Sequence, residues 1–209
     1  MNYLAIESSG FVCGVSLVKN KRLIDTFEID RARSHQKKLA VFTNNLLEKH
    51  KTTISELDFI AVSSGPGSFL GLRIGMSFAK GLCHPFNIPL IPVQCFDYLN
   101  FQVGKEIKDY FIVIHSNRDM VYCQKYKNNK KSGATQYIDF KKIKSENVFS
   151  IGNLESFVEL NCKQLELSSK HIANYVMKNI NDLNKVEVQS ALPDYMQDFV
   201  IKQKKQYNG

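Results

Sequence analysis

Glu7-Ser8-Ser9-Gly10 ends one short apolar run and leads into a second, setting a carboxylate beside two hydroxyls at a chain reversal. Such a hairpin can fold around a phosphate or a metal-bound phosphate; equally, Glu7 can be a buried ligand of its own turn. Ser63-Ser64-Gly65-Pro66-Gly67-Ser68-Phe69 stands between an apolar run and a helical pattern. Glycines there permit a sharp turn and close backbone approach, and the unpaired N–H groups of a helix start favour an anion. Glu7, Ser8, Ser9, Gly65, Gly67 and Ser68 are therefore the candidate phosphate contacts, with a purely structural tight turn as the alternative. No Gly-Lys-[Ser/Thr] follows, which excludes P-loop chemistry.

Other chemistry finds little support. His35, His50, His84, His115 and His171 never fall three or four residues apart, so no helical metal clamp forms. Cys13, Cys83, Cys95, Cys123 and Cys162 are an odd, dispersed set without a C-x-x-C pair, which reads as reduced thiols in a cytoplasmic protein. No Gly-x-Ser-x-Gly elbow occurs, so no catalytic nucleophile and no metal are assigned. His35, near a helix start, is the best single histidine for a functional role, against an ordinary structural one.

The elements that must hold these residues are legible from periodicity. Residues 3–7, 12–18 and 23–29 read as three strands joined by turns too short for a helix, an antiparallel meander. A helix follows over 34–50, capped by Ser34, with Leu39, Phe42, Leu46 and Leu47 on one side. Thr53 to Glu56 has the form of a capping box. Residues 59–63 form a buried strand, 70–84 a second helix, 90–93 a strand and 96–103 a third helix. The order β-β-β-α-β-α-β-α indicates an α/β layer structure. Beyond Gly104 come strands at 110–115, 120–126 and 148–152, a polar loop at 127–133, and a helix capped by Ser168 or Ser169. The boundary near Gly104 divides the chain into lobes 1–103 and 104–209, and each opens on strand–turn–strand. Residues 202–209 are expected to fray.

The second helix is over-supplied with apolar surface. Arg73, Ser77, Lys80 and His84 share one narrow stripe, while Leu70, Leu72, Ile74, Met76, Phe78, Ala79 and Leu82 fill the rest. A surface helix shows a far narrower apolar face, so this one must be covered on two sides, by its sheet and by a neighbouring helix or another chain. Gly71, Gly75 and Ala79 make a smooth row where a second backbone could approach. A protein–protein interface built on the two helices is expected, through His35, Leu39, Phe42, Leu46, Gly71, Ile74, Gly75, Phe78, Ala79 and Leu82.

The chain has 209 residues and a formal net charge of +8. Lysines and arginines concentrate between 19 and 38 and again between 125 and 144. A positive field attracts polyanions, although lysine-rich turns are also simply solvated and no aromatic residues are interleaved for base stacking. No apolar run approaches the roughly 20 residues that cross a bilayer, so no membrane association is expected.

Ile6-Glu7-Ser8-Ser9, His35 beside Ser34, Ser63 to Phe69, Gly71-Leu72-Arg73-Ile74-Gly75 and Ala79-x-Gly81 resemble, in order and spacing, the TsaB family, also called YeaZ. Val121-Tyr122 and Leu192-Pro193-Asp194-Tyr195 fit it more loosely. The resemblance covers about the first hundred residues well and the remainder in outline. It departs from the family pattern at Glu7, Leu70 and His115-Ser116-Asn117.

The resemblance implies the duplicated two-lobe α/β fold of the actin, heat-shock ATPase and sugar-kinase superfamily, with mixed sheets flanked by helices. It implies a non-catalytic partner of a TsaD-type catalytic subunit, joined by a TsaE-type ATPase, in threonylcarbamoyl transfer to adenosine 37 of tRNAs reading codons that begin with A. Homodimers through the first lobe are implied when the chain is alone, with tRNA met only indirectly. No cofactor is expected to bind this chain tightly; ATP and magnesium belong to the assembled complex. Against this stand two enzymatic readings. One is an ATPase or sugar-kinase-like phosphotransferase using Glu7 and the 65–69 loop. The other is a peptidase, which needs a metal or nucleophile the sequence does not offer.

Overall fold

The computed structural model describes residues 1–30, 35–145, 147–151 and 162–196. The side chain of His35, the cap expected at Ser34, Gly152 at the end of an expected strand, and residues 202–209 lie outside the described residues.

The opening meander forms as expected: β1 (Tyr3–Glu7), β2 (Val12–Lys19) and β3 (Arg22–Asp30) pair antiparallel in sequence. Helix α1 (His35–Lys49) then crosses to β4 (Phe59–Gly65), which lies parallel to β1. Helix α2 (Phe69–Cys83) leads to β5 (Leu90–Gln94), parallel to β4, giving a first sheet of order β3-β2-β1-β4-β5. Between α1 and β4, Glu56 reaches back to the Thr53 N–H at 2.6 Å, as the capping-box spacing predicts.

After the short helix α3 (Cys95–Asn100), the second half repeats this plan. Strands β6 (Asp109–Asn117) and β7 (Met120–Lys127) form an antiparallel hairpin. Strands β8 (Lys130–Lys131) and β9 (Gln136–Asp139) both pair with β7. Then β10 (Val148–Ile151) adds parallel to β6, and β11 (Lys163–Gln164) parallel to β10. In both sheets the central strand has its antiparallel hairpin partner on one side and parallel strands on the other. The two sheets thus share one plan, a mixed α/β arrangement flanked by helices. Strands β8, β9 and β11 fall where no strand was expected, because two to four paired residues are too few to show a period-two pattern.

Helix α4 (Ser169–Asn179) begins at the expected cap, Ser168, whose hydroxyl accepts the Lys170 N–H at 3.1 Å. It packs back on the first sheet, where the Tyr3 hydroxyl donates to the Ala173 carbonyl at 2.7 Å. The core on one face of the first sheet joins Leu4, Ile6, Val15 and Ile60 to Leu39 and Leu46 of α1 and Met76 and Ala79 of α2. The other face joins Tyr3, Ala5 and Phe59 to α3, α4 and the inner face of the second sheet through Tyr110, Ile112 and Tyr126. With both faces covered, β1 is buried at every position and shows no amphipathic alternation. A fully buried leucine such as Leu39 or Leu46 stabilises the fold by about 1.5–3 kcal/mol. None of the five cysteines forms a disulfide, and four are buried. No helix among the described residues is long and apolar enough to cross a membrane.

Candidate functional site

The β1–β2 turn, the 65–68 loop and the start of α2 meet at close backbone contact. The Ser68 N–H donates to the Ser9 carbonyl at 2.6 Å, and the Ser8 hydroxyl donates to the Gly71 carbonyl at 2.9 Å. This approach needs glycine. A Cβ at Gly71 would lie 2.1 Å from the Ser8 carbonyl oxygen, and one at Gly75 would lie 2.1 Å from the Ser8 hydroxyl. Ser68 caps α2 by accepting the Gly71 N–H at 3.2 Å.

Glu7 is wholly buried beneath this junction. Its Oε1 accepts the Ser9 N–H at 2.5 Å and the Ser9 hydroxyl at 2.6 Å, and its Oε2 accepts the Tyr98 hydroxyl. Burial raises its pKa above the usual carboxylate value, against the opposing pull of the Ser9, Tyr98 and Ser63 hydrogen bonds. Burial, then the neighbouring Cys95 and Glu7, pushes the Tyr98 phenol well above its usual range. Burial likewise raises the Cys95 thiol to about 12, which makes it inert as a nucleophile.

Residues 186–195 run beside α2 and across the glycine loop. Leu90 and Val186 exchange backbone hydrogen bonds, Lys80 Nζ reaches the Gln189 carbonyl at 3.5 Å, and the Asp194 N–H donates to the Ser64 carbonyl at 2.6 Å. Gly65, at φ +121°, takes a left-handed conformation directly under the Asp194 carbonyl, where a Cβ would lie 2.2 Å from that oxygen. Tyr195 packs against Phe69 at a tilt of 46°, with centroids 4.8 Å apart. Arg73 lies over the Phe69 ring at 4.1 Å and donates to the Tyr195 hydroxyl at 3.2 Å.

Between this assembly and the β6–β7 hairpin lies a cleft of about 590 Å³. Ser9, Gly67, Ser68, Phe69 and Tyr195 line one wall, and Ile114, His115, Ser116, Asn117 and Tyr122 the other. Its described lining contains no lysine or arginine. Of the expected phosphate contacts, Ser9, Gly67 and Ser68 reach the cleft. Glu7, Ser8 and Gly65 do not line it: the first two are enclosed by the α2 junction and Gly65 is roofed by Asp194. Among the described residues, no three His, Cys, Asp or Glu side chains gather as a metal site.

The expected interface row is corrected more sharply. Gly71, Gly75 and Ala79 face inward, toward Ser8, Val62 and the sheet core, and Leu39 and Leu46 are fully buried beside them. No second chain can reach them in this fold. The second cover that α2 requires is partly internal, supplied by α1 on one flank and residues 186–195 on the other. What α2 leaves outward is a crest: Leu70, 62 % exposed, then Ile74 and Phe78 half-buried, with exposed Ser77 beside them and exposed Gly81 beyond. Leu82 and, on α1, Phe42 are half-buried at its margins, while Val41 is exposed. Tyr98, Asp194 and Tyr195 were not among the expected site residues. The Leu192-Pro193-Asp194-Tyr195 run was the available signal, but its contacts span more than a hundred residues.

Comparison with known proteins follows the same lines. Residues 29–201 match the family model described as TsaD, tRNA N6-adenosine threonylcarbamoyltransferase. The tRNA threonylcarbamoyladenosine biosynthesis protein TsaB of Buchnera aphidicola is 33% identical over 132 residues, covering 62% of this chain and 59% of that protein. The tRNA N6-adenosine threonylcarbamoyltransferase of Fusobacterium nucleatum is 45% identical over 110 residues, 45% of this chain and 32% of the enzyme. The chain thus spans well under two thirds of the length of these curated relatives. YeaZ from Pseudomonas aeruginosa superposes with a TM-score of 0.78 at 20% identity, covering 93% of this chain and 99% of that one. The chain belongs to the TsaB (YeaZ) family, within the wider family that the threonylcarbamoyltransferase model describes.

Proposed function

We propose that this chain is a partner subunit in the biosynthesis of tRNA threonylcarbamoyladenosine, docking a TsaD-type catalytic subunit and carrying no catalysis itself. A TsaE-type ATPase completes the assembly, and the transfer acts on adenosine 37 of tRNAs reading codons that begin with A. The curated relatives' names support the pathway. One observation carries the docking role: the outward crest of α2, where Leu70 is 62 % exposed in line with Ile74 and Phe78. A leucine left that far in water on a helix otherwise closed on three sides is surface a partner would cover. When the partner is absent, the same crest suits a second copy of this chain, and the lobes 1–103 and 104–209 divide the work, the first one docking.

The test is a mass determination of the chain alone and mixed with the TsaD-type subunit of its own organism. A defined complex is expected, with Leu70→Asp weakening it at least about tenfold while leaving thermal unfolding unchanged, as surface substitutions do. Pairing that ignores Leu70→Asp and Phe78→Asp alike would place the docking surface elsewhere.

The cleft keeps one enzymatic reading in view, an ATPase or sugar-kinase-like phosphotransferase. That reading needs Glu7 to meet magnesium or phosphate, and Glu7 is turned into the core with both oxygens occupied. Calorimetry of the isolated chain with Mg-ATP separates the two: tight binding favours the phosphotransferase, no heat favours the docking subunit.

A further inference from the structure

The outer face of the second sheet collects positive charge that the docking role leaves unused. Residues 105–145 hold ten lysines and arginines against four carboxylates. Register sets where they point, because residues paired across an antiparallel ladder share a face. Lys125 pairs with Phe111 and Lys127 with Asp109 in the β6–β7 ladder, and Lys130 pairs with Lys127 across the β7–β8 turn. Phe111 belongs with Val113, Val121 and Val148 to the small core on the outer face, so Lys125, Lys127 and Lys130 stand on that face too.

A second strip of lysines covers the same face. The segment after β9 starts at the hairpin tip, where the Phe140 N–H donates to the Asp119 carbonyl at 2.8 Å. It returns along the sheet until Asn147 accepts the Phe111 N–H at 3.0 Å. Phe140 and Ile143 turn down into the small core, which leaves Lys141, Lys142 and Lys144 exposed above it. Of the six lysines, Lys141 alone has an ion-pair partner among the described residues, Asp119 at 3.3 Å; Lys125 lies over the half-buried Phe111 ring at 5.6 Å. The strip follows a strand of eight residues, a span of roughly 25 Å.

We propose that this face binds the phosphate backbone of folded RNA. Six ammonium groups along one strand length, with one paired, concentrate charge as counterion release requires. Lysine, a mobile point charge without the planar fork of arginine, fits phosphate positioning better than base reading. Among the described residues, no aromatic ring of this face is exposed as a stacking platform, which disfavours unstructured single strands. The proposal rests on the tRNA-biosynthesis reading for its biological RNA. Its binding test does not, since it needs this chain alone.

The experiment titrates the full chain against a tRNA transcript, poly-U of equal length and phosphatidylserine vesicles at several salt concentrations. The variant Lys127→Gln/Lys130→Gln/Lys142→Gln/Lys144→Gln removes exposed lysines only, and Lys21→Gln/Arg22→Gln removes exposed charge from the β2–β3 turn. Expected is salt-steep binding to the transcript, weakened about tenfold or more in the four-lysine variant and little in the control. The slope of log K on log salt should flatten by about 1 for each lysine that meets a phosphate. Equal loss in both variants, a preference for poly-U, or binding to vesicles without the transcript would overturn the proposal. Mass determination of the four-lysine variant with the TsaD-type subunit keeps the two ideas separate: intact pairing with lost RNA binding supports this face. RNA binding that survives in that variant while pairing is lost refutes it.

Discussion

β1 and β6 hold the same central place in two sheets of matching plan, yet their surroundings differ. β1 is buried at every residue, whereas β6 is buried only at Tyr110 and Ile112 to Ile114, with Phe111 half-buried on the far side and both ends of the strand exposed. The first sheet carries two long helices on its outer face; among the described residues, the second carries Phe140 and Ile143 with Lys141, Lys142 and Lys144 exposed above them. The hairpin turns follow suit. Glu7 to Gly10 is locked under α2 by hydrogen bonds and glycine contacts, while His115 to Asn117 stands at the cleft wall. One plan thus yields a first sheet covered by helices that carry an apolar crest, and a second sheet with a charged outer face. The difference lies in what packs outside each sheet.

That contrast can be broken most directly at equivalent outward positions. Leu4→Ala, under α1 and α2, should destabilise the chain by about 3 kcal/mol, the usual result for a fully buried leucine. Phe111→Ala, half-buried and under no helix among the described residues, should cost only about 1 kcal/mol. Denaturant unfolding of both variants decides it; equal losses would mean the second lobe is as tightly covered as the first.

Gly71→Ala should cost about 2–3 kcal/mol, because the new methyl meets a backbone oxygen that cannot move without shifting the β1–β2 turn. Gly10→Ala is the gentler control in the same turn, since its Cβ meets the end of the Leu167 side chain, which can rotate away. A charge at Gly75 or Ala79 is then a folding mutation and no test of docking. Thermal melts of these variants sharpen the claim that the glycine row is internal.

Tyr98→Phe should cost about 2 kcal/mol by removing a donor from a buried carboxylate. The pH dependence has a definite sign. Glu7 has a folded pKa above its unfolded value, so its contribution is complete below the ordinary carboxylate range and is lost as pH rises through the folded value. Loss of the Tyr98 hydroxyl lifts that value further, so the variant should fall behind wild type more at neutral pH than at pH 4. A penalty independent of pH would detach Tyr98 from the ionisation of Glu7.

Much of this was legible because local pattern decides it. Tyr3–Glu7 reads as a strand from its apolar run, Ser168 or Ser169 as a cap from the helical period behind it, and Thr53 to Glu56 as a capping box from spacing alone. The inward turn of Gly71 and Gly75 was not, since helical spacing gives a row without saying what lies opposite. Only Ser8, more than sixty residues earlier, supplies the reason. The path of residues 186–195 along α2 was hidden for the same cause. Arg73 to Tyr195 and Ser64 to Asp194 are contacts between distant segments, and no period announces them.

The smallest effect distinguishes fold from docking within a single helix. Gly81 belongs to α2 as Gly71 and Gly75 do, but it is exposed and a Cβ there meets nothing within 4 Å. Gly81→Ala should therefore stabilise the isolated chain by about 0.5–1 kcal/mol, through the lower backbone entropy of alanine in the unfolded state and its higher helix propensity. Three glycines in one helix would then give two penalties and one gain, each traceable to the atoms a methyl would touch. On the proposed crest, the same methyl should weaken pairing with the TsaD-type subunit if the partner's backbone approaches over Gly81, and leave it unchanged if side chains bridge from Leu70, Ile74 and Phe78. A melt that falls instead of rising would mean the end of α2 is covered within this chain, and the crest would have to be redrawn to stop at Phe78.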